Sequence, residues 1–292
     1  MNRPRVTRRE ALLAVSGMPL AVSPALAALA ADEKRRFKIG ACDWSIGGRG
    51  EPGVLETAKR IGLDGVQVAF GAPGEKYDLR SEAVRREYLQ AARTHGVEIA
   101  SLAIGVLNQV PYASDPEAEK WVRQCVEVMP KLGQKVALVA FFSKGDIKGR
   151  RDLQDEVIRR LKRVAPEAEK AGVVLGIESW LSADDHLRIL DGVGSPAVQV
   201  YYDVANMDHE GYDVYQGIRR LGRDRICEVH CKENGFLLGK GRIDFVRVKE
   251  ALDEIGWSGW LVIEGAVPQG ASMFDSYVRN QKYLRSIFPT GA

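Results

Sequence analysis

The stretch GVVLGIESW, residues 172–180, decides how this sequence is read. A glycine closes the charged segment before it, five small or apolar residues follow, and a carboxylate, Glu178, arrives directly ahead of Ser179 and Trp180. A run apolar on both faces is the mark of a strand covered on both sides in a parallel sheet. An acid at the end of such a strand is costly to bury unless something compensates it. The question is whether other segments end in the same way.

They do. Apolar, β-branched runs recur at FKIGACDW (37–44), GVQVAF (65–70), VEIASLAI (97–104), KVALVAFF (135–142), VVLGIES (173–179), VQVYYDV (198–204), ICEVHCK (226–232) and WLVIEG (260–265). Between them lie charged segments with helical spacing, among them VLETAKRIG, SEAVRREYLQAARTHG, PEAEKWVRQCVEVMPKLG, RRDLQDEVIRRLKRVAPEAEKAG and IDFVRVKEALDEIG. Gly62, Gly96, Gly133, Gly172 and Gly256 stand where a left-handed residue closes a helix. A βα unit repeated eight times over ~250 residues predicts a single-domain α/β protein, a (β/α)8 TIM barrel. An open doubly wound sheet is the alternative, and the lack of GxGxxG after the first strand weakens its dinucleotide-binding version.

The first thirty residues have another texture. Arg8 and Arg9 precede an apolar stretch from Ala11 to about Ala30 that ends in small residues. This layout predicts a twin-arginine export signal over 1–30, cut after Ala28-Leu29-Ala30 or after Ala27, with the barrel over 31–292. A retained membrane anchor is disfavoured by Pro19 and Pro24 inside the run. Four of the 42 basic and one of the 39 acidic residues fall in the leader, leaving 38 of each, so the net +3 belongs to the signal. A neutral mature surface gives no electrostatic case for nucleic acid or anionic lipid as partner. Cys42, Cys125, Cys227 and Cys231 form no disulfide framework. The last two, four apart on one strand, would lie ~13 Å from each other, beyond bridging distance.

In a parallel barrel every strand's carboxyl end opens onto one face, where active sites are built. Four consecutive strands end there in metal-ligand types: Glu178 on the fifth, Asp203 on the sixth, His230 on the seventh and Glu264 on the eighth. A divalent cation compensates such carboxylates, which would otherwise be costly to bury or would protonate. The oxygen-rich set suits one Mn²⁺, Mg²⁺ or Co²⁺ ion, with Zn²⁺ also accommodated.

With this quartet and the eight βα units, residues 37–288 resemble the xylose isomerase-like barrels, the sugar phosphate isomerase/epimerase superfamily that includes ketose 3-epimerases and endonuclease IV. VHCKENGFLLGKGRIDF is similar to that family's H-x-K-D/E stretch followed by G-x-G-x-I/V-D, here Gly239 to Asp244. The resemblance implies that Glu178, Asp203, His230 and Glu264 hold one metal ion, Mn²⁺ first among the alternatives. It also implies that Glu178 and Glu264 are the catalytic pair, removing and returning a proton beside a carbonyl through an enediolate. The chain departs from the family at three places: Asn206 stands where histidine is common, Phe236 where ketose epimerases place a substrate-binding arginine, and Gln67 where glutamate is frequent.

Trp44, Asn206, Lys232 and Glu233 are the expected substrate contacts. Trp44 and Trp180 either stack on a sugar face or pack in the core. Lys144 is a further candidate contact, His209 could reach the site from the loop after Asp203, and His95 and His186 read as structural. The expected function is a metal-dependent isomerase or epimerase acting on a non-phosphorylated sugar in the periplasm or otherwise outside the cytoplasm, because phosphorylated intermediates are normally cytoplasmic. A 3-keto-glycoside lyase or hydratase using the same metal and glutamates is the alternative. A non-catalytic sugar-binding barrel and an endonuclease IV-like repair enzyme follow, the latter opposed by a total of four histidines. The resemblance also allows a homodimer, although no surface in the sequence marks one.

Overall fold

The computed structural model describes residues 37–288, so the expected leader lies outside the described residues. The apolar runs form eight parallel strands: β1 (Phe37–Cys42), β2 (Gly65–Ala69), β3 (Glu98–Ile104), β4 (Val136–Phe141), β5 (Val174–Ser179), β6 (Val198–Asp203), β7 (Ile226–Lys232) and β8 (Gly259–Glu264). Each begins and ends within two residues of the limits read from the sequence. They close into a barrel in chain order, with β1 paired to both β2 and β8. The ring leaves no sheet edge exposed, and it turns every strand's carboxyl end to the same rim.

The helices are α1 (Val54–Ile61), α2 (Glu82–His95), α3 (Pro116–Val128), α4 (Arg151–Ala171), α5 (Ala183–Val193), α6 (Val204–His209), α7 (Val214–Leu221), α8 (Phe245–Glu254) and α9 (Met273–Ile287). Helix α3 shows how the sequence makes one. Asp115 accepts a hydrogen bond from the Glu117 amide, Pro116 needs no donor at the first position, and Glu117 and Glu119 favour the positive end of the helix. Ala118, Val122, Cys125 and Val126 repeat at helical spacing and bury one stripe towards β4. Burying a side chain such as Val122 stabilises the fold by ~1.5–3 kcal/mol. A short 3-10 turn, Met129–Leu132, then ends at Gly133 with φ 68°. Among the described residues no helix is long and apolar enough to cross a membrane.

Two strand pairs are irregular. The β2–β3 register slips between Val66 and Gln67, and the β6–β7 register between Val200 and Tyr201. Such slips re-aim the side chain that follows them. Gln67 and Tyr201 are both buried.

His186, on α5, is structural, as the sequence suggested. Its Nδ1 lies 3.0 Å from the Ser182 carbonyl, which can only accept, so this nitrogen carries the proton. Nε2 then accepts from the Ser179 hydroxyl at 2.9 Å, tying the end of β5 beside Glu178 to the start of α5. Burial pushes the imidazole down from 6.5 to about 4. Between those values, only the unfolded chain takes up the proton as the pH falls. This histidine's contribution is therefore complete above pH 6.5 and is lost by about pH 4, a change on the order of 3 kcal/mol. His186→Gln should flatten that part of the stability profile in pH-dependent denaturant titrations, and an unchanged slope would contradict the assignment.

Candidate metal centre

The barrel delivers four side chains to one point. Glu178 is the penultimate residue of β5, Asp203 and Glu264 are the last of β6 and β8, and His230 lies within β7 directly across from Asp203. One donor atom from each lies within 4.8 Å of all the others. His230 Nδ1 is 2.7 Å from Glu178 Oε1 and 3.8 Å from both Asp203 Oδ2 and Glu264 Oε2. Glu178, Asp203 and His230 are buried, and Glu264 is half-buried.

Local structure aims each group. Asp203 caps α6, its Oδ1 accepting from the Ala205 and Asn206 amides at 2.8 and 2.9 Å. This leaves Oδ2 buried with no hydrogen bond. Glu264 Oε1 accepts from the Trp44 indole at 2.9 Å, and its Oε2 accepts from Lys232 Nζ at 2.8 Å. The other nitrogen of His230, Nε2, lies 2.9 Å from Gln67 Oε1 and 3.5 Å from Cys42 Sγ.

The electrostatics show a cluster short of positive charge. Burial pushes Asp203 up to about 7, with Glu178 and Glu264 adding to the rise against Lys232 and His230. Burial also acts to raise Glu264, but His230 and Lys232 overcome it and hold this carboxyl at about 2. For His230, burial disfavours the charge, yet the Glu178 carboxylate and its hydrogen bond lift the ring to about 9. Lys232 is likewise opposed by burial and held above the ordinary lysine range by Asp203 and Glu264. Three carboxylates around one imidazole, with a buried carboxylate oxygen lacking a hydrogen bond, fit a hard divalent cation.

The expected substrate contacts fall into different settings. Trp44 and Lys232 touch Glu264 directly. Asn206 is buried in α6, its amide on Asp203. Glu233 is engaged elsewhere: its carboxylate accepts from the Arg242 and Ile243 amides at 3.2 and 2.6 Å and closes the loop after β7. Trp180 is half-buried against Phe142, with ring centroids 5.3 Å apart. Lys144 and His209 are exposed, and His95 ends α2 at the opposite end of the barrel, just before β3 begins.

Gln67, in the sequence a departure from the family's glutamate, lies beneath the site together with Cys42, Ser101, Tyr201 and Glu228, which the sequence reading does not place there. All are buried. A polar residue inside an otherwise apolar strand, such as Gln67 in GVQVAF or Glu228 two residues before His230, was the available signal.

The family-like glycine at 241 has a steric cause. A Cβ there would stand 1.8 Å from Glu233 Oε2, so only glycine lets the loop close on that carboxylate. Gly241→Ala should open it, and hydrogen exchange at the Arg242 and Ile243 amides should speed up ~10-fold or more, as expected for ~1.4 kcal/mol of lost protection. Unchanged protection would contradict this role of Glu233.

Comparison with known proteins agrees with this architecture. Residues 55–287 match the model of the family described as Xylose isomerase-like TIM barrel. The D-psicose 3-epimerase of Enterocloster bolteae is 24% identical over 241 residues, 75% of this chain and 78% of that protein. The L-ribulose-5-phosphate 3-epimerase UlaE of Escherichia coli is 24% identical over 232 residues, 72% of this chain and 80% of its own length. Among solved structures, D-psicose 3-epimerase from Clostridium cellulolyticum superposes with a TM-score of 0.73 at 19% identity, covering 86% of this chain and 99% of that one. The 3-keto-D-glucoside 4-epimerase YcjR from E. coli superposes with a TM-score of 0.70 at 19% identity, again covering 86% and 99%. The matched span covers most of the barrel and all four converging side chains, and the chain belongs to the xylose isomerase-like TIM barrel family.

Proposed function

We propose that this protein is a divalent-metal-dependent sugar isomerase or epimerase that removes and returns a proton next to a carbonyl. The observation that carries this reading is the convergence of Glu178, Asp203, His230 and Glu264 within 4.8 Å, together with the lone buried Oδ2 of Asp203. These four residues would hold one ion, Mn²⁺ in our reading, with Mg²⁺, Co²⁺ and Zn²⁺ as alternatives. When bound, such an ion polarises a sugar carbonyl and makes the neighbouring C–H acidic.

The remaining chemistry belongs to the side chains. Glu178 and Glu264 are the proton acceptor and donor on the substrate carbon. Glu264 is fixed by two partners, the Trp44 indole on one oxygen and the Lys232 ammonium on the other, so its carboxylate is oriented and kept anionic. Asp203 is turned inward by its cap on α6. Lys232 and Trp44 also line the place where a substrate oxygen or ring face would sit.

Family membership and the epimerase relatives support a sugar substrate. For its class we favour a non-phosphorylated sugar or sugar derivative, acted on after export. The support is Arg8 and Arg9 before the apolar leader, and Phe236, 51% exposed, where ketose epimerases carry a basic side chain. Phe236 also favours a second reading, a 3-keto-glycoside lyase or hydratase. There, loss of the proton beside the keto group would break the C–O bond on the next carbon, and the departing group would take up a proton. The structural neighbour that acts on a 3-keto-glucoside is consistent with that substrate class.

Glu178→Gln and Glu264→Gln should each lower kcat by ~10²-fold or more. Both should retain more metal than His230→Ala, as measured by elemental content. Full activity in either glutamine variant would remove the acid–base assignment. Incubating the metal-loaded protein in heavy water with ketoses and 3-keto-glycosides should place deuterium beside the carbonyl of the substrate. Its absence across the panel would favour a non-catalytic sugar-binding barrel.

A further inference from the structure

Beneath the four converging side chains, buried polar groups form one connected chain inside the barrel, and the orientation of the Gln67 amide within it sets which nitrogen of His230 donates. The Tyr201 and Ser101 hydroxyls both donate to Glu228 Oε2, each at 2.8 Å. The hydroxyl proton of Ser101 is thereby used, so its oxygen accepts from Gln67 Nε2 at 3.1 Å. An amide whose NH₂ faces Ser101 turns its carbonyl oxygen the other way. There it meets the Cys42 thiol at 3.3 Å and His230 Nε2 at 2.9 Å. A carbonyl oxygen only accepts, so Nε2 must carry a proton. That leaves Nδ1, the nitrogen facing Glu178, Asp203 and Glu264, as the one that can give up its proton to Glu178 and offer a lone pair to a cation.

The backbone is shaped to make this chain. The register slip after Val66 sets Gln67 opposite Ser101, and the slip after Val200 sets Tyr201 opposite Glu228. Both irregularities fall where a hydrogen-bonded pair of the chain is formed. Gln67, Ser101 and His230 are completely buried, so water offers no substitute partner.

We propose that Gln67, oriented by Ser101 and Glu228, is a positioning residue that fixes the ring orientation of His230 and its Nε2–H donor so that Nδ1 is presented to the divalent cation. The inference rests on the metal-centre reading above. The Gln67 amide, unlike a carboxylate, adds no charge to a cluster already rich in anions, and it demands the same Nε2 proton.

The test uses the full chain, metal-free and Zn²⁺-loaded, in wild-type, Gln67→Met and Gln67→Glu forms. Methionine keeps the length but offers no comparable acceptor, whereas glutamate keeps the acceptor. Proton–nitrogen NMR should show a downfield, slowly exchanging proton on His230 Nε2 in the wild type and in Gln67→Glu, and its loss in Gln67→Met. Calorimetric titration with Zn²⁺ and Mn²⁺ should give Gln67→Met a ~10–100-fold weaker Kd, restored in Gln67→Glu. If Gln67→Met does not fold by circular dichroism, Ser101→Ala replaces it, freeing the amide to turn, and the same two losses are expected. Wild-type affinity or a persistently protected Nε2 proton in the disrupting variant would overturn the proposal. A wild type that takes up neither ion would instead overturn the metal-centre reading, while the NMR comparison would still decide whether Gln67 sets the proton on His230.

Discussion

Three carboxylates forced together out of water constrain everything else in this molecule. Glu178, Asp203 and Glu264 repel one another, and burial alone disfavours their charges. The groups on hand to neutralise them are the His230 ring and the Lys232 ammonium. Even with both in place, Asp203 Oδ2 remains buried without a hydrogen bond. Such an arrangement is expensive unless another positive charge completes it. The barrel supplies the rigidity to hold it, because each carboxylate leaves from the end of a closed, paired strand.

The rim and the interior do different work. At the rim, short-range contacts aim the donors: the cap on α6 turns Asp203, Trp44 and Lys232 pin Glu264, and His186 ties the end of β5 to α5. Inside, a chain of buried polar groups from Gln67 to Tyr201 reaches His230 from below. The loop after β7 is closed by Glu233 against its own backbone.

The strands and the four converging side chains are legible in the sequence because each rests on a local signal. Eight apolar runs with glycine-capped helices between them dictate a closed parallel sheet, and a carboxylate or histidine at a strand's end is visible without coordinates. The interior chain was not legible. Its members, Gln67, Ser101, Tyr201 and Glu228, meet through two register slips, and no pattern in the sequence announces a one-residue irregularity between parallel strands. The backbone contacts of Glu233 are not legible for a similar reason. Its place after β7 points to the rim, but its carboxylate is captured by amides nine and ten residues further on, across a turn that depends on Gly241.

One dication is what completes the cluster in this reading. Anomalous diffraction from crystals grown with Mn²⁺ tests it directly. A single peak ~2.0–2.3 Å from Glu178, Asp203, His230 Nδ1 and Glu264 is the predicted result, with Lys232 Nζ withdrawn from Asp203. Crystals that hold Mn²⁺ elsewhere or not at all, with His230 Nδ1 still hydrogen-bonded to Glu178, would contradict it.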